Sequence, residues 1–454
     1  MSRRSVLVCV VTTALMGSMA AAVAPTAPSR RPDSPAVAVP APASAKHRLD
    51  SNPFPVPPSA EQCRRVYGLT CYEPLQVRAA YGVDPLLRLH NDGAGQTIAI
   101  VDSFGSPTIE HDLQVFDRTW GLPDPPSIET ITPAGPLPPF DPTDSDMTGW
   151  AFETTLDVQY AHLVAPRAAI LVVATPVSET EGVVGFPEIV QAENYVIDHG
   201  LADVISQSLG AAEPTFPSTD RLLSLRSAFV NAARHGVTVV ASSGDSGATD
   251  YQNDAQTLFD YPVDSWPSTD PLVTSVGGTR LHLSATGSRT APDSAWHDEY
   301  GAGGGGLSTV FSRPAFQSSV RDVVGAYRGT PDIALSAAVD GGVLVYTSYD
   351  SQDTGWTIVG GTSEAAPLFA GMVALAAQRA HHRLGLINAA LYRLARQPGS
   401  GIVDVTVGDN SFGDVTGYSA GPGYDLASGL GTVNAARFVP ALAKAVAPTK
   451  WPKP

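Results

Sequence analysis

Four short runs in this 454-residue chain are mostly apolar and bounded by turn-forming residues. They are GQTIAIVDS from Gly95, AAILVVATP from Ala168, DVISQSLG from Asp203 and GVTVVASSG from Gly236. Apolar runs of this length predict strands buried on both faces, as in parallel sheets. Between them, TGWAFETTLDVQYAHLVA from Thr148 and RLLSLRSAFVNAARHG from Arg221 repeat apolar residues at three- and four-residue spacing and predict helices. Gly236 stands where the second should end. Strand and helix in alternation predict an α/β fold, a doubly wound and mostly parallel sheet flanked by helices in a single domain. Such sheets bind ligands beyond the carboxyl ends of their strands. Ser208–Gly210 and the SSGDSG that starts at Ser242 both lie at such ends.

The pattern changes at the start of the chain. Arg3 and Arg4 precede the apolar run SVLVCVVTTALMGSMAAA, which closes on small residues at Ala20–Ala22. This predicts a secretory signal over residues 1–22 and an extracellular protein, with Sec and twin-arginine export both open. Residues 23–62 are dominated by proline, alanine and serine and predict a linker or short pro-segment. The globular part is expected over 63–445, followed by a tail at 446–454. No later segment is long and apolar enough to cross a bilayer, so no membrane anchor is expected once the signal is removed. Cys9 belongs to the signal; Cys63 and Cys71 form an even pair in an exported chain and predict a disulfide.

Composition narrows the partners. The net charge is −16, and the four lysines, Lys46, Lys444, Lys450 and Lys453, all lie near the ends. Such a surface repels nucleic acid and anionic membranes. A chain this poor in charge and biased to acid suits an acidic medium, and it is expected to act as a monomer.

Candidate chemistry begins at GGTSEAAPLFAG, Gly360–Gly371, where Ser363 opens a segment rich in helix formers. A serine there caps a helix in most proteins. The alternative is a nucleophile, which needs a base. Glu153 and Asp157, four apart in a helical pattern, share one helix face beside the apolar stripe of Phe152, Leu156, Tyr160 and Leu163. They read either as a solvated acidic face or, in a drier site, as a dyad sharing a proton. Asp245 lies between two glycines just past a strand. It reads either as a turn residue or as a neutral carboxylic acid able to donate to an oxyanion.

Taken in order, Glu153-x-x-x-Asp157, SGDSG and GTSEAAP, with VISQSLG, GGGGLSTVFSRPAFQ, GTPDIAL and GPGYDLASGLG, resemble the sedolisins, serine-carboxyl peptidases with a subtilisin-like fold. The resemblance runs from about Tyr72 to Phe438. It implies Ser363 as nucleophile, Glu153 as its base, Asp157 as the partner of Glu153 and Asp245 as the oxyanion acid. Ser208 and Gly210 match the family's substrate-lining strand. The implied substrates are proteins or peptides.

Near the C-terminus, Asp404 and Asp425 flank a Gly-Pro-Gly turn. Acidic loops are usually only solvated, but calcium takes carboxylate and carbonyl oxygens. The resemblance implies one calcium ion held by the carboxylates of Asp404 and Asp425 and the carbonyls of Val405, Gly421 and Gly423. GAGGGG from Gly301 lacks the Gly-Lys-Ser/Thr of a phosphate loop. His111 and His162 stand outside any His-Gly-Thr setting, and His162 is expected to be packed or exposed. Asp102 is the aspartate that a histidine-dependent subtilisin-type peptidase would use. That enzyme, and a non-catalytic binding protein on the same scaffold, are the competing readings. One feature departs from the resemblance: most sedolisins carry a large folded pro-domain, whereas residues 23–62 here are a Pro/Ala-rich stretch.

Overall fold

The computed structural model describes residues 54–351 and 354–447. The expected signal, residues 23–53 of the Pro/Ala-rich stretch and most of the expected tail lie outside the described residues.

The apolar runs form strands. In chain order, the central sheet contains β1 (Thr97–Ser103), β2 (Ile128–Ile131), β3 (Ala169–Thr175), β4 (Val204–Gln207), β5 (Thr238–Ser242), β6 (Thr274–Arg280), β7 (Ser294–Ala295) and β8 (Ile333–Ser336). Their spatial order is β7-β6-β5-β4-β1-β3-β2, with β8 paired to β6. All neighbours are parallel except β7, which pairs antiparallel with β6. The register runs Ile98–Ile170 and Ile98–Val204 on the two sides of β1.

Successive strand residues point to opposite faces, and each face has its own core. Ile98, Ile100, Ile170, Val172, Val204 and Val240 pack with Leu156, Leu368 and Phe369. Those partners come from α2 (Ser145–Val164) and α5 (Thr362–Ala380); α1 (Ile109–Trp120) lies before them in the chain. Ala99, Val101, Leu171, Val173, Ile205 and Val239 pack with Phe186, Ile189, Phe229 and Trp266 on the other face. Here the helices are α3 (Phe186–Asp198) and α4 (Ser227–His235). This is the doubly wound, mostly parallel arrangement that the sequence predicts.

One helix is shorter than expected. The run from Arg221 to His235 divides into Thr219–Leu223 and α4. At the break, the Ser224 hydroxyl donates to the Arg221 carbonyl at 2.7 Å, a local bond that competes with the helical ladder. The Arg226 guanidinium meanwhile turns to Asp270. Gly236 ends α4 at φ +71°, as expected. Cys63 and Cys71 are disulfide-bonded, with their Cα atoms 6.0 Å apart. Among the described residues no helix is long and apolar enough to cross a membrane.

Candidate active site

Three elements of the fold meet over the carboxyl ends of β1, β4 and β5. The first is α2, capped by Asp144, whose carboxylate accepts the Asp146 and Met147 amides. Its middle carries Glu153 and Asp157. The second is the chain leaving β4, which places Ser208. The third is the start of α5, which carries Ser363 in its first turn. Gly361 enters that turn at φ +125°, in the region only glycine readily occupies. A Cβ on Gly360 would collide with the Ala337 carbonyl. The two glycines before Thr362 are therefore needed to seat the serine.

All four residues read as a set from the sequence are buried together: Glu153 is 4% exposed, Asp157 0%, Asp245 4% and Ser363 1%. The Ser208 hydroxyl donates to Asp157 Oδ1 at 2.9 Å and lies 3.4 Å from the Ser363 carbonyl oxygen. Asp245 Oδ1 accepts the Thr362 amide and hydroxyl, while its Oδ2 has no hydrogen-bond partner within the protein. Ser363 Oγ and Glu153 Oε1 make no hydrogen bond of full geometry. The Ser363 hydroxyl is nonetheless near enough to favour the charged form of Glu153.

The electrostatics are those of crowded, dry acids. Burial first, then the Asp102 carboxylate, holds Glu153 well above the usual carboxylate range; the Ser363 hydroxyl opposes this. Asp157 is raised by burial, then by Asp102 and Glu153, against the Ser208 hydroxyl. Asp245 is pushed up to about 7 by burial, against the Thr362 amide and hydroxyl. These groups titrate as one system, not as independent acids.

Asp102 is the residue whose place the sequence pattern did not disclose. It sits in β1, fully buried, beside Glu153 and Asp157, with neither carboxyl oxygen bonded. Burial pushes it up to about 7, against a hydroxyl from Thr154. An acid ending an otherwise apolar central strand was the available signal. Read with the α2 pair instead of with a histidine, it would have joined them.

The remaining residues fall as follows. Gly210 lies two residues past Ser208, where a Cβ would come to 3.1 Å from the Trp266 carbonyl oxygen. The glycine run from Gly301 packs backbone to backbone: Gly304 N donates to the Gly244 carbonyl at 2.7 Å. His162 Nε2 lies 3.0 Å from the Pro123 carbonyl and 3.2 Å from Asp117 Oδ1, inside the protein. His111 lines a separate cavity beside Phe104 and Phe140. Among the described residues, no histidine hydrogen-bonds Ser363.

The chain from 145 to 393 matches the model of the subtilase family, a span that holds all four residues. Kumamolisin from Bacillus sp. (strain MN-32) is 33% identical over 383 residues, covering 82% of this chain and 64% of that protein. Sedolisin from Pseudomonas sp. (strain 101) is 34% identical over 258 residues, covering 55% and 42%. The solved Pseudomonas sedolisin, a serine-carboxyl proteinase complexed with two molecules of pseudo-iodotyrostatin, superposes with a TM-score of 0.68 at 28% identity. That match covers 82% of this chain and 97% of the other. This chain belongs to the subtilase family, in its sedolisin branch. It spans less than two thirds of the length of these curated sedolisin relatives.

Two of the residues expected to hold calcium, Asp404 and Asp425, also converge. Asp425 Oδ2 accepts the Gly421 amide at 2.9 Å, and Asp404 Oδ2 accepts the Gly423 amide at 2.8 Å, so both carboxylates reach one turn. Asp425 Oδ1 accepts from the Ala427 and Ser428 amides and the Ser428 hydroxyl. Burial still holds Asp425 above its ordinary value. No ion pair joins it to a basic side chain among the described residues. No group of three or more acidic, histidine or cysteine side chains gathers at a metal-like site among the described residues. The expected donor set has only two carboxylates, with carbonyls supplying the rest; the groups that meet the two carboxylates here are the Gly421 and Gly423 amides.

Proposed function

We propose that this chain is a secreted, acid-active serine-carboxyl peptidase, acting as a monomer on protein or peptide substrates. The observation that carries this reading is the unbonded Oδ2 of Asp245, one contact from the residue preceding Ser363. A neutral carboxyl so placed is a hydrogen-bond donor with nothing in the protein to receive it. An oxyanion forming on a carbonyl attacked by Ser363 would receive it.

Glu153, as carboxylate, takes the Ser363 proton while Oγ bonds to the substrate carbonyl carbon. The carbonyl π electrons move to oxygen, where protonated Asp245 donates to them. Glu153 returns the proton to the leaving amine as the C–N bond breaks, leaving an ester on Ser363. Water then gives its proton to Glu153 and its oxygen to the carbonyl carbon; as the ester C–O bond breaks, Glu153 returns that proton to Ser363 Oγ and the carboxylic acid product leaves. Asp157, fixed by Ser208, orients Glu153 and spreads the shared proton. Glu153 is a weak base for an alcohol, so positioning and oxyanion stabilisation carry most of the barrier. Ser208 and Gly210 line the bound peptide.

Asp404 and Asp425, with the carbonyls of Val405, Gly421 and Gly423, would hold one calcium ion. Its contribution when bound is structural, closing the turn and offsetting two carboxylate charges. The deciding experiment is a rate profile from about pH 2 to about pH 8 on denatured protein, run beside Ser363→Ala. An optimum in the acid range, absent from the variant, is expected. An optimum at neutrality in folded protein overturns the reading.

A further inference from the structure

The cavity that His111 lines lies at the carboxyl edge of the sheet and has a volume of about 680 Å³. Phe104, Ile109, Leu137, Phe140 and Met147 give it an apolar lining. Glu110, His111 and Gln114 also line it, and all three are exposed, so it opens to solvent along a polar edge. An apolar pocket of this size, edged by a few polar groups, is the usual form of a ligand site.

Two elements that build the catalytic set also build this cavity. Phe104 stands two residues past Asp102, immediately after β1. Met147 lies in the first turn of α2, the helix that carries Glu153 and Asp157. Six residues of helix separate Met147 from Glu153, a rise of about 9 Å. An extended peptide covers that distance in about three residues. Thr130 of β2 lines the cavity too, and β2 and β3 lie on one side of β1 with β4 on the other. The cavity and Ser208–Gly210 therefore flank the catalytic set from opposite sides.

The walls are fixed in advance. Phe104 has φ +58°, a left-handed conformation that a bulky residue rarely adopts. Its amide donates to the Thr175 carbonyl at 2.8 Å, which ties this turn to the end of β3. Strain of this kind persists where the surrounding structure over-determines it, and it gathers at binding and catalytic sites. Leu137 and Phe140 come from residues 132–144 between β2 and α2, a stretch without helix or strand that holds five prolines. Each proline fixes one backbone dihedral. The Phe140 ring packs edge-on against Tyr349, with centroids 6.1 Å apart. Ordered loops this long are mostly binding loops or lids.

We propose that this cavity is a specificity subsite for a large apolar side chain of the substrate, an aromatic one above all, about three residues from the scissile bond. This rests on the peptidase reading. Phe104 and Phe140 offer ring faces and edges, and Met147 a polarisable sulfur, so an aromatic ring gains contacts beyond the area it buries. A peptide held by Ser208–Gly210 and crossing Glu153 brings such a side chain to the cavity. Binding energy from that remote side chain raises kcat/KM for the peptides that carry it.

The test uses neutral quenched peptides in which one phenylalanine is walked through an alanine background on both sides of the cut, with the cleaved bond identified by mass spectrometry. For the wild type, kcat/KM should rise about tenfold or more when phenylalanine stands at one position about three residues from the cut. Phe140→Ala, and Met147→Trp, which fills the cavity, should each lower that ratio by about threefold or more. If no position prefers phenylalanine, or both peptides lose rate equally so that the ratio stays, the subsite is wrong. Circular dichroism checks the fold; should either variant not fold, Leu137→Ala tests the same lining, and an unchanged ratio there counts equally against it. One other occupant is distinguished directly, with Ser363→Ala protein and a synthetic peptide of residues 23–53. If adding Phe140→Ala weakens binding of that peptide and not of the phenylalanine peptide, the cavity holds the chain's own Pro/Ala-rich stretch, and the substrate role is overturned. Should the wild type cleave no peptide, the peptidase reading fails by itself. Calorimetric binding of the phenylalanine and alanine peptides to wild type and Phe140→Ala then still decides the cavity.

Discussion

Asp245 Oδ1 accepts both the backbone N–H of Thr362, at 2.7 Å, and its hydroxyl, at 2.8 Å, so one aspartate is locked to the residue before Ser363. The Thr362 hydroxyl also accepts the Gly244 amide at 3.1 Å, closing a ring between the β5 loop and α5. Both donors favour the charged form of Asp245, yet burial outweighs them and holds the acid up at about 7. The proton it keeps has one oxygen left to sit on, Oδ2.

That geometry separates two substitutions. Asp245→Ala removes the oxyanion donor and the lock on Thr362, and should lower kcat by about 10²–10³. Asp245→Asn preserves an acceptor for Thr362 and donates from its amide at any pH. Its residual activity should lose part of the decline seen in the wild type above about pH 5. Initial rates across the pH range check this; an asparagine profile parallel to the wild type counts against the donor role.

Ser363→Ala should abolish peptide hydrolysis while the folded protein is still obtained, because Ser363 Oγ makes no hydrogen bond of full geometry within the protein. His162→Ala should behave in the opposite way. Its ring contacts Asp117 and the Pro123 carbonyl in the interior, so its loss should cost about 1–3 kcal/mol of stability and leave the pH profile of activity in place. Thermal melting and rate profiles of the two variants, measured together, separate the roles. A loss of activity for His162→Ala equal to that of Ser363→Ala, in folded protein, would favour a histidine base.

Strands β1, β3, β4 and β5 were legible because they are buried on both faces, and an apolar run has few other places to go; the sheet's other four strands were not read. Glu153 and Asp157 were legible for a geometric reason: four residues on a helix is one face. Asp102 was not, because its neighbours come from α2, more than forty residues away in the chain. A strand end alone does not say which helix will cross it. Thr362 was hidden likewise: its contact with Asp245 spans 117 residues. The break in the helix from Arg221 turned on Ser224, whose hydroxyl competes with the ladder, and on where Arg226 finds Asp270. Local propensity sees only the first of these.

The buried acids also set how stability depends on pH. Asp102, Asp245 and Asp264 are held up at about 7 and Glu193 at about 8, each first by burial. In the unfolded chain such carboxyls titrate near 4. The folded state therefore binds more protons between those limits, and stability must fall as pH rises. The contribution is complete below about pH 4 and is lost as pH climbs through about 7 to 8. Melting temperature should peak in the acid range and decline toward pH 8. Glu193 gives a clean single-site check, since neither of its carboxyl oxygens has a partner and it lies in α3, outside the catalytic set. Glu193→Gln should reduce the slope of melting temperature against pH. A slope identical to the wild type would mean that Glu193 is not held protonated.

The turn at Gly421–Gly423 leads to the last prediction. Asp404 and Asp425 bring two carboxylates to it, and the Asp425 carboxyl remains raised by burial despite three amide donors and the Ser428 hydroxyl. A hard dication there would offset both charges at once. A ligand bound only by the folded state stabilises by mass action, about 2.7 kcal/mol at a hundred times Kd. Added calcium should therefore raise the melting temperature by several degrees, and a chelator should lower it. Asp425→Asn is more informative than alanine, because its side-chain oxygen still accepts from Ala427 and Ser428 and so preserves much of the turn. In that variant the response to calcium should disappear while the chelator-treated melting temperature stays near that of the chelator-treated wild type. Metal content after purification and melting curves with and without calcium check both halves. An unchanged melting temperature under chelation, with no co-purified metal, would leave Asp404 and Asp425 as residues of a hydrogen-bonded turn alone.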